Sequence, residues 1–454
     1  MSSQELATNN NQLPEGYKKT EVGVIPEDWE CEHLRDKIVI THGFGFKSQY
    51  FCSQGLYWLT TPGNFYEDGG FREIGEKQKY YNGPLPDLYL LQHGDLIVAM
   101  TEQAEGLLGS AAIIPKSGTY LHNQRLGKIK PISLDIELVF LYYIFNSKKF
   151  RLKVRETAAG TKVKHTSPTK LLEIAIPLPP LPEQKAIAQT LSDVDALIAA
   201  LDKLIAKKRN IKTATMQQLL TGKTRLPGFG EGKGYKKSAL GLIPEDWEVK
   251  KLGDVIKSFQ NGYAFSAQNY VDYGIPIITM AQIGLDGAFQ FMEECVNHWP
   301  FIYSNKLQSY QVKNGDVIIS MTDVTPEKNL IGRMTIVDLE PDKTALLNQR
   351  VGLLRLDFKK VNPIFITTFS HQRKWRQYCL SVASLGVQAN IGTKEITDGI
   401  LVLPPLPEQQ TIAQVLSDID TEITALEKRR TKTQAIKQGM MQELLTGKTR
   451  IIDN

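Results

Sequence analysis

The sequence contains no run of about 18 apolar residues, the length a membrane-spanning helix requires. Its opening stretch, MSSQELATNNNQLPEG, lacks the basic-then-apolar order of a secretory signal and reads as a polar tail over residues 1–14. Four cysteines, Cys31, Cys52, Cys295 and Cys379, stand far apart with no C-x-x-C spacing, so neither a zinc ribbon nor a disulfide framework is indicated. These absences make a cytoplasmic protein with reduced thiols the expectation.

Signs of catalysis are equally scarce. The seven histidines form no H-x-x-x-H pair and no cluster with cysteine, so a metal site is not expected. G-x-S-x-G is absent, which removes one common serine nucleophile. Also absent is D/N-P-P-Y/F, the loop that holds a flipped base in amino-methyltransferases. TGKTR at 221–225 and 446–450 resembles the end of a phosphate-binding loop. However, Gln217 and Gln442 stand where its first glycine is required, and a helical pattern precedes it in place of a strand. The chain is expected to hold no catalytic residue, no metal and no cofactor of its own.

What the sequence does contain is repetition. GYKKTEVGVIPEDWE at 16–30 matches GYKKSALGLIPEDWE at 234–248 in 11 of 15 positions. LPPLPEQKAIAQTLSDVDALIAALDK at 178–203 matches LPPLPEQQTIAQVLSDIDTEITALEK at 403–428 in 18 of 26, and MQQLLTGKTR at 216–225 matches MQELLTGKTR at 441–450 in 9 of 10. Between these blocks the halves diverge, apart from weak echoes such as HNQR at 122–125 against LNQR at 347–350. At 454 residues two or three domains are expected, and the repeats make them two copies of one unit, each a divergent body followed by a shared tail.

The bodies, 15–177 and 235–402, carry short apolar or alternating runs such as DLIVAMT and DVIISMT, bounded by Gly, Asn, Asp and Pro. They predict a mixed, largely antiparallel sheet with short helices near 136–150 and 363–380. In the tails, 178–225 and 403–450, Ile187, Leu191, Val194, Ile198, Leu201 and Ile205 recur at spacings of 4 and 3, as do Ile412, Leu416, Ile419, Ile423 and Leu426. Proline keeps PLPP extended and fits the first helical turn at Pro182 and Pro407. Gly222 and Gly447 then stop each helix. About 40 helical residues make a rod of roughly 60 Å, which needs a partner along its seam. The class is therefore α+β, with two tandem mixed-sheet bodies whose long helices pair as an antiparallel coiled coil with pseudo-twofold symmetry; the seam could alternatively pack onto a body or another protein. Arg430 takes the seam position of Ile205, so fraying is expected there. Residues 226–234 form a Gly-rich linker.

Net charge is +5, which permits a polyanionic partner without demanding one. Residues 147–170 concentrate eight Lys/Arg against one Glu, and Arg151, Lys153, Thr161, Lys162 and Lys164 are candidates for phosphate or base contact. Arg373, Lys374, Gln388 and Asn390 occupy the corresponding stretch of the second half. Two aromatic loops, GFGFKSQYF and GYAFSAQNY, contribute Lys47, Ser48 and Ser266, and the echoed turn contributes Gln124, Arg125, Gln349 and Arg350. Gln and Asn can pair with adenine edges, Arg and Lys with guanine. Trp29 and Trp247, in IPEDW, read as core anchors.

With these residues in hand, the chain resembles a specificity subunit of type I restriction–modification enzymes. GLIPEDWE opening a unit, PLPPLPEQ…IA leading into a long helix, and LLTGKTR closing it carry the resemblance over nearly the whole length. It implies two target recognition domains, each reading one half of a bipartite, asymmetric double-stranded DNA site, with half-sites roughly one helical turn apart. It further implies two adenine-N6 methyltransferase subunits holding S-adenosylmethionine, and motor-nuclease subunits using ATP and Mg. A fused methylase-nuclease partner, or a non-DNA coiled-coil scaffold, remains open on sequence alone.

Overall fold

The computed structural model describes residues 13–85, 87–102, 106–160, 163–303, 305–384, 386 and 388–451. They divide into two compact units, one within Met1–Asp202 and Lys428–Asn454, the other Lys203–Glu427. Each unit therefore holds one body, the first half of its own long helix and the last half of the other. Each tail thus contributes to both units.

In the first unit, Ile38–His42, Leu126–Pro131, Leu96–Ala99 and Ala111–Ile113 form an antiparallel sheet in that order. A second sheet orders Tyr120–His122, Tyr57–Thr60, Tyr80–Tyr81 and Phe51–Cys52, with Tyr120–His122 running parallel to Tyr57–Thr60. The second unit repeats the first of these sheets and the parallel pair of the other. Ile256–Asn261, Val351–Leu356, Val317–Ser320 and Met334–Ile336 are antiparallel, while Ile275–Ile278 runs parallel to Thr344–Leu347 in the smaller sheet.

One face of the larger sheet packs on a pair of short helices. The expected single helix near 136–150 is two, Leu138–Asn146 and Lys148–Glu156, because Ser147 is extended and its hydroxyl accepts the Phe150 N–H as a new cap. The second unit breaks likewise, into Pro363–Phe369 and Arg373–Val382. The first core joins Ile40, Val98 and Ile129 of the sheet to Phe140 and Leu141, and then to Ile187 and Leu191 of a long helix. Leu444 and Leu445, from the far end of the chain, complete it. In the second unit Leu219, Leu220, Ile412 and Leu416 take those places.

The long helices run Leu181–Leu219 and Leu406–Leu444. Within the first unit Asp195 meets Lys437 at 2.6 Å and Asp202 meets Arg430 at 2.8 Å, so one number rises as its partner falls. In the second unit Lys212 meets Asp420 at 2.6 Å and Lys208 meets Glu422. The segments are antiparallel in both. Ile187, Leu191, Leu201, Ile412, Leu416 and Ile423 are buried, whereas Val194, Ile198, Ile419 and Leu426 are half-buried. The earliest seam residues face their own body, so the heptad serves body and partner helix in turn. No fraying occurs at Arg430. Its guanidinium bonds Asp202 and Gln434, and the helix runs on unbroken.

The duplicated LPPLPEQ marks a joint. Buried Glu183, in the first turn of its helix, accepts the Trp29 indole N–H at 3.0 Å and two bonds from Arg450, which also forks onto Asp28. Glu408, Trp247, Arg225 and Asp246 repeat every contact in the second unit. Arg225 fixes Asp246 so firmly that its carboxyl falls to about 2, and Arg450 likewise holds Asp28 below the usual carboxylate range. Gly222 and Gly447, at φ of 68° and 71°, turn each chain out of its helix toward these arginines.

Candidate nucleic-acid interface

In each body three loops converge at the end of one sheet strand. In the first, Met100 follows the strand Leu96–Ala99, and its N–H donates to the carbonyl of Arg125 at 2.9 Å. Its carbonyl accepts the Thr166 N–H, and the Glu102 N–H donates to Lys164. Both bonds fasten the segment that follows the basic helix. On the other side Phe44 donates to His122 and accepts from Gln124, stapling the first aromatic loop to the Asn123-Gln124-Arg125 turn.

The second body reproduces the arrangement with different side chains. Met321 donates to Arg350 at 3.0 Å and accepts from Ile391, Thr322–Asp323 pairs with Ala389–Asn390, and Tyr263 donates to Leu347 while accepting from Gln349. The turn itself is set by Asn123 and Asn348, whose side-chain oxygens accept the N–H groups of Arg125 and Arg350 at 3.0 and 3.1 Å. Gly43 and Gly262 pass so close that an added Cβ would overlap the carbonyls of Asn123 and Asn348. Sequence reasoning passes over these asparagines and glycines, although the paired G-x-[GA]-F and N-Q-R echoes are the available signal.

Polar side chains stand free on this frame. Lys47, Ser48, Gln124, Arg125, Lys164, Ser266 and Gln349 are exposed, and Arg350 is half-buried. Lys47 and Ser266 each precede a one-turn 3-10 helix in equivalent loops. Gln388 and Asn390 bond each other, the Gln388 amide donating to the Asn390 side chain at 3.0 Å. Aromatic rings underlie the loops, Phe44 against Phe46 and Tyr89, and Tyr263 against Phe265 and Tyr310. Exposed amides, cations and rings on a held backbone are the groups that contact nucleic-acid edges and phosphates.

Other candidates lie elsewhere. Lys374 donates to the Leu240 carbonyl and Lys149 to that of Val22, tying each helix start to the hairpin of the opening block. Arg373 is exposed at that same helix start, about 15 Å along the helix from the loop cluster. Lys153 faces solvent beside Glu156. Arg151 is half-buried, and its bonds go to main-chain carbonyls. Thr161 and Lys162 lie outside the described residues.

Below the cluster, burial lowers His122 to about 4, and its imidazole hydrogen-bonds the Leu126 carbonyl. Burial would raise Asp323, but N–H groups of Leu330 and Thr325 and the Thr325 hydroxyl outweigh it and leave the carboxyl below its ordinary range. Among the described residues no group of three or more His, Cys, Asp and Glu could hold a metal ion, and no helix is long and apolar enough to cross a membrane.

The model of the type I restriction modification DNA specificity domain matches residues 26–209 and again 244–438. The type I restriction enzyme MjaVIII specificity subunit of Methanocaldococcus jannaschii is 30% identical over 444 residues, covering 96% of each chain. The EcoBI specificity subunit of Escherichia coli is 25% identical, covering 93% of this chain and 85% of its own. In fold, the S subunit of a type I restriction–modification system from M. genitalium superposes with a TM-score of 0.53 at 15% identity, over 92% of this chain and 96% of that one. Two matched copies of one domain and a full-length relative lead to one assignment: the chain belongs to the type I restriction–modification DNA specificity family.

Proposed function

We propose that this chain is the DNA-reading component of a type I restriction–modification complex, each body reading one half of a bipartite, asymmetric double-stranded site. The observation that carries this reading is the duplicated loop cluster: one backbone frame, built twice, presents Gln124, Arg125, Lys47 and Lys164 in one body and Gln349, Arg350, Ser266 and Gln388 in the other. Equal frames with unequal side chains suit two different half-sequences, whereas a scaffold has no use for the difference.

The joints support the rest of the assembly. Two near-identical tails give two equivalent docking places, which fits a pair of methyltransferase subunits, with motor-nuclease subunits completing the restriction enzyme. Methylation at adenine N6 and DNA cleavage then belong to those partners in the cytoplasm. S-adenosylmethionine would sit in the methyltransferases, and ATP and Mg in the motor-nuclease. The flipped adenine would enter the partner's pocket.

The test is to express the chain with the methyltransferase encoded beside it in a methylation-free host and to map N6-methyladenine by single-molecule sequencing. The expected result is one split motif with a fixed gap, lost when this chain is omitted. A stable complex that methylates no defined sequence would leave the scaffold reading in its place.

A further inference from the structure

Arg151 and Arg376 stand at the same place in the two bodies, 225 positions apart on the second of the paired short helices. Among the described residues, neither hydrogen-bonds a carboxylate. Arg151 spreads its fork over three main-chain carbonyls, those of Leu108 (2.8 Å), Glu67 (3.1 Å) and Gly106. Arg376 donates to the carbonyl of Lys328 at 3.0 Å, and Arg333 beside it donates to Asn329 and, at 2.9 Å, to Leu285. A guanidinium suits the work of Arg151, since five donors in a rigid plane can satisfy several carbonyls at once, while the Arg376 Nη1 is buried with no hydrogen-bond partner among the described residues.

The carbonyls belong to loops that matter. In the first body the loop leaves the strand end at Glu102, whose N–H already holds Lys164, and the Glu102 carboxylate accepts the Gly106 N–H at 3.0 Å. In the second it leaves at Asp323, whose carboxylate accepts Thr325 and Leu330. Among the described residues, an acidic side chain holds the start of each loop, and an arginine holds carbonyls further on, Arg151 those of Gly106 and Leu108 and Arg376 that of Lys328. Each borders the turn bearing Arg125 or Arg350.

We infer that Arg151 and Arg376 are positioning residues for sequence recognition: they fix these border loops from beneath, and so set the selectivity of their own body's half-site without touching DNA. This rests on the DNA-reading function proposed above.

The experiment uses the full chain with its methyltransferase partner. Arg151→Met keeps the aliphatic stem and removes the fork; Arg151→Lys keeps the charge and removes the fork; Arg376→Lys is the matching change in the second body. Methylation maps are compared with affinity for specific and random duplexes across a salt series. Both Arg151 variants should relax one half-sequence, with roughly tenfold loss of discrimination, and Arg376→Lys should relax the other. The salt slope of Arg151→Met should equal that of the parent. A slope shallower by about 0.9 would make Arg151 a phosphate contact and overturn the inference. So would full selectivity in Arg151→Lys, or equal loss at both half-sites. If Arg151→Met does not fold, the two lysine variants carry the test. A parent complex that methylates no defined motif overturns the DNA-reading function itself, a different result from any variant's failure.

Discussion

Arg225 and Arg450 show how a single residue closes each unit. Arg450 lies 267 positions from Glu183, yet Glu183 is 2% exposed and depends on that guanidinium and on Trp29 for its partners. Removing one member of a buried pair leaves the other desolvated and uncompensated, at about 3–5 kcal/mol. Arg450→Met should therefore lower the unfolding free energy of the first unit by that amount, seen as a lower denaturant midpoint, and Arg225→Met should do the same to the second. An unchanged midpoint for either would show the joint to be decorative. Glu183 and Glu408 lie in the first turns of their helices, where a carboxylate is favoured anyway. Nothing in the spacing disclosed that a distant arginine would reach them.

His122 carries a pH dependence. Burial lowers its folded value to about 4 against an ordinary 6.5, so the unfolded chain binds a proton that the folded chain refuses. Stability is complete above pH 6.5 and falls as pH drops toward 4, by about 2 kcal/mol at pH 5. The second body has Leu347 at this place, fully buried. His122→Leu should flatten the loss between pH 6.5 and 4 in thermal melts at a series of pH values; an unaltered acid slope would remove His122 as its cause.

At the scale of elements, what the sequence revealed was punctuation and periodicity. Proline before and glycine after the long helices are local constraints on φ, and heptad spacing is a local property of a helix, so both could be read directly. The polar partners along the seam could not. Arg430 was read as a flaw because its partner, Asp202, sits 228 positions away in sequence. Basic residues meet the same limit. Arg151 and Lys374 read as phosphate ligands in a string, and their bonds to main-chain carbonyls appear only in the fold. The Asn-Gln-Arg turns were legible as an echo, and their meaning came from the hydrogen bonds to the aromatic loops.

The seam gives an element-level prediction. Leu191 and Leu416 are each almost fully buried and lie in separate cores. Truncation of either to alanine should cost about 2–5 kcal/mol, and each should weaken chiefly its own unit. Gly447→Ala adds strain at φ 71° and a Cβ that would overlap Pro26, so it should destabilise the first unit beyond the usual cost of about 1 kcal/mol. Hydrogen exchange resolved by unit would separate these effects, and uniform loss across both units would contradict the division of the cores.

For the whole molecule, one idea accounts for both what the halves share and where they differ. The shared blocks build joints and helices, and under the proposed function their likeness serves to receive like partners. The divergent bodies keep the sheet and the loop frame and vary the side chains displayed on it. Discrimination between bases needs a different display for each half-sequence, while affinity for phosphates does not.

The most direct measurement is methylation mapping of two full-length variants with the methyltransferase partner, Gln124→Ala with Arg125→Ala, and Gln349→Ala with Arg350→Ala. The account predicts that the first relaxes one half-sequence and the second relaxes the other, with the gap between them unchanged. If both variants alter the same half-sequence, or neither alters any, the assignment of one reading surface to each body is contradicted.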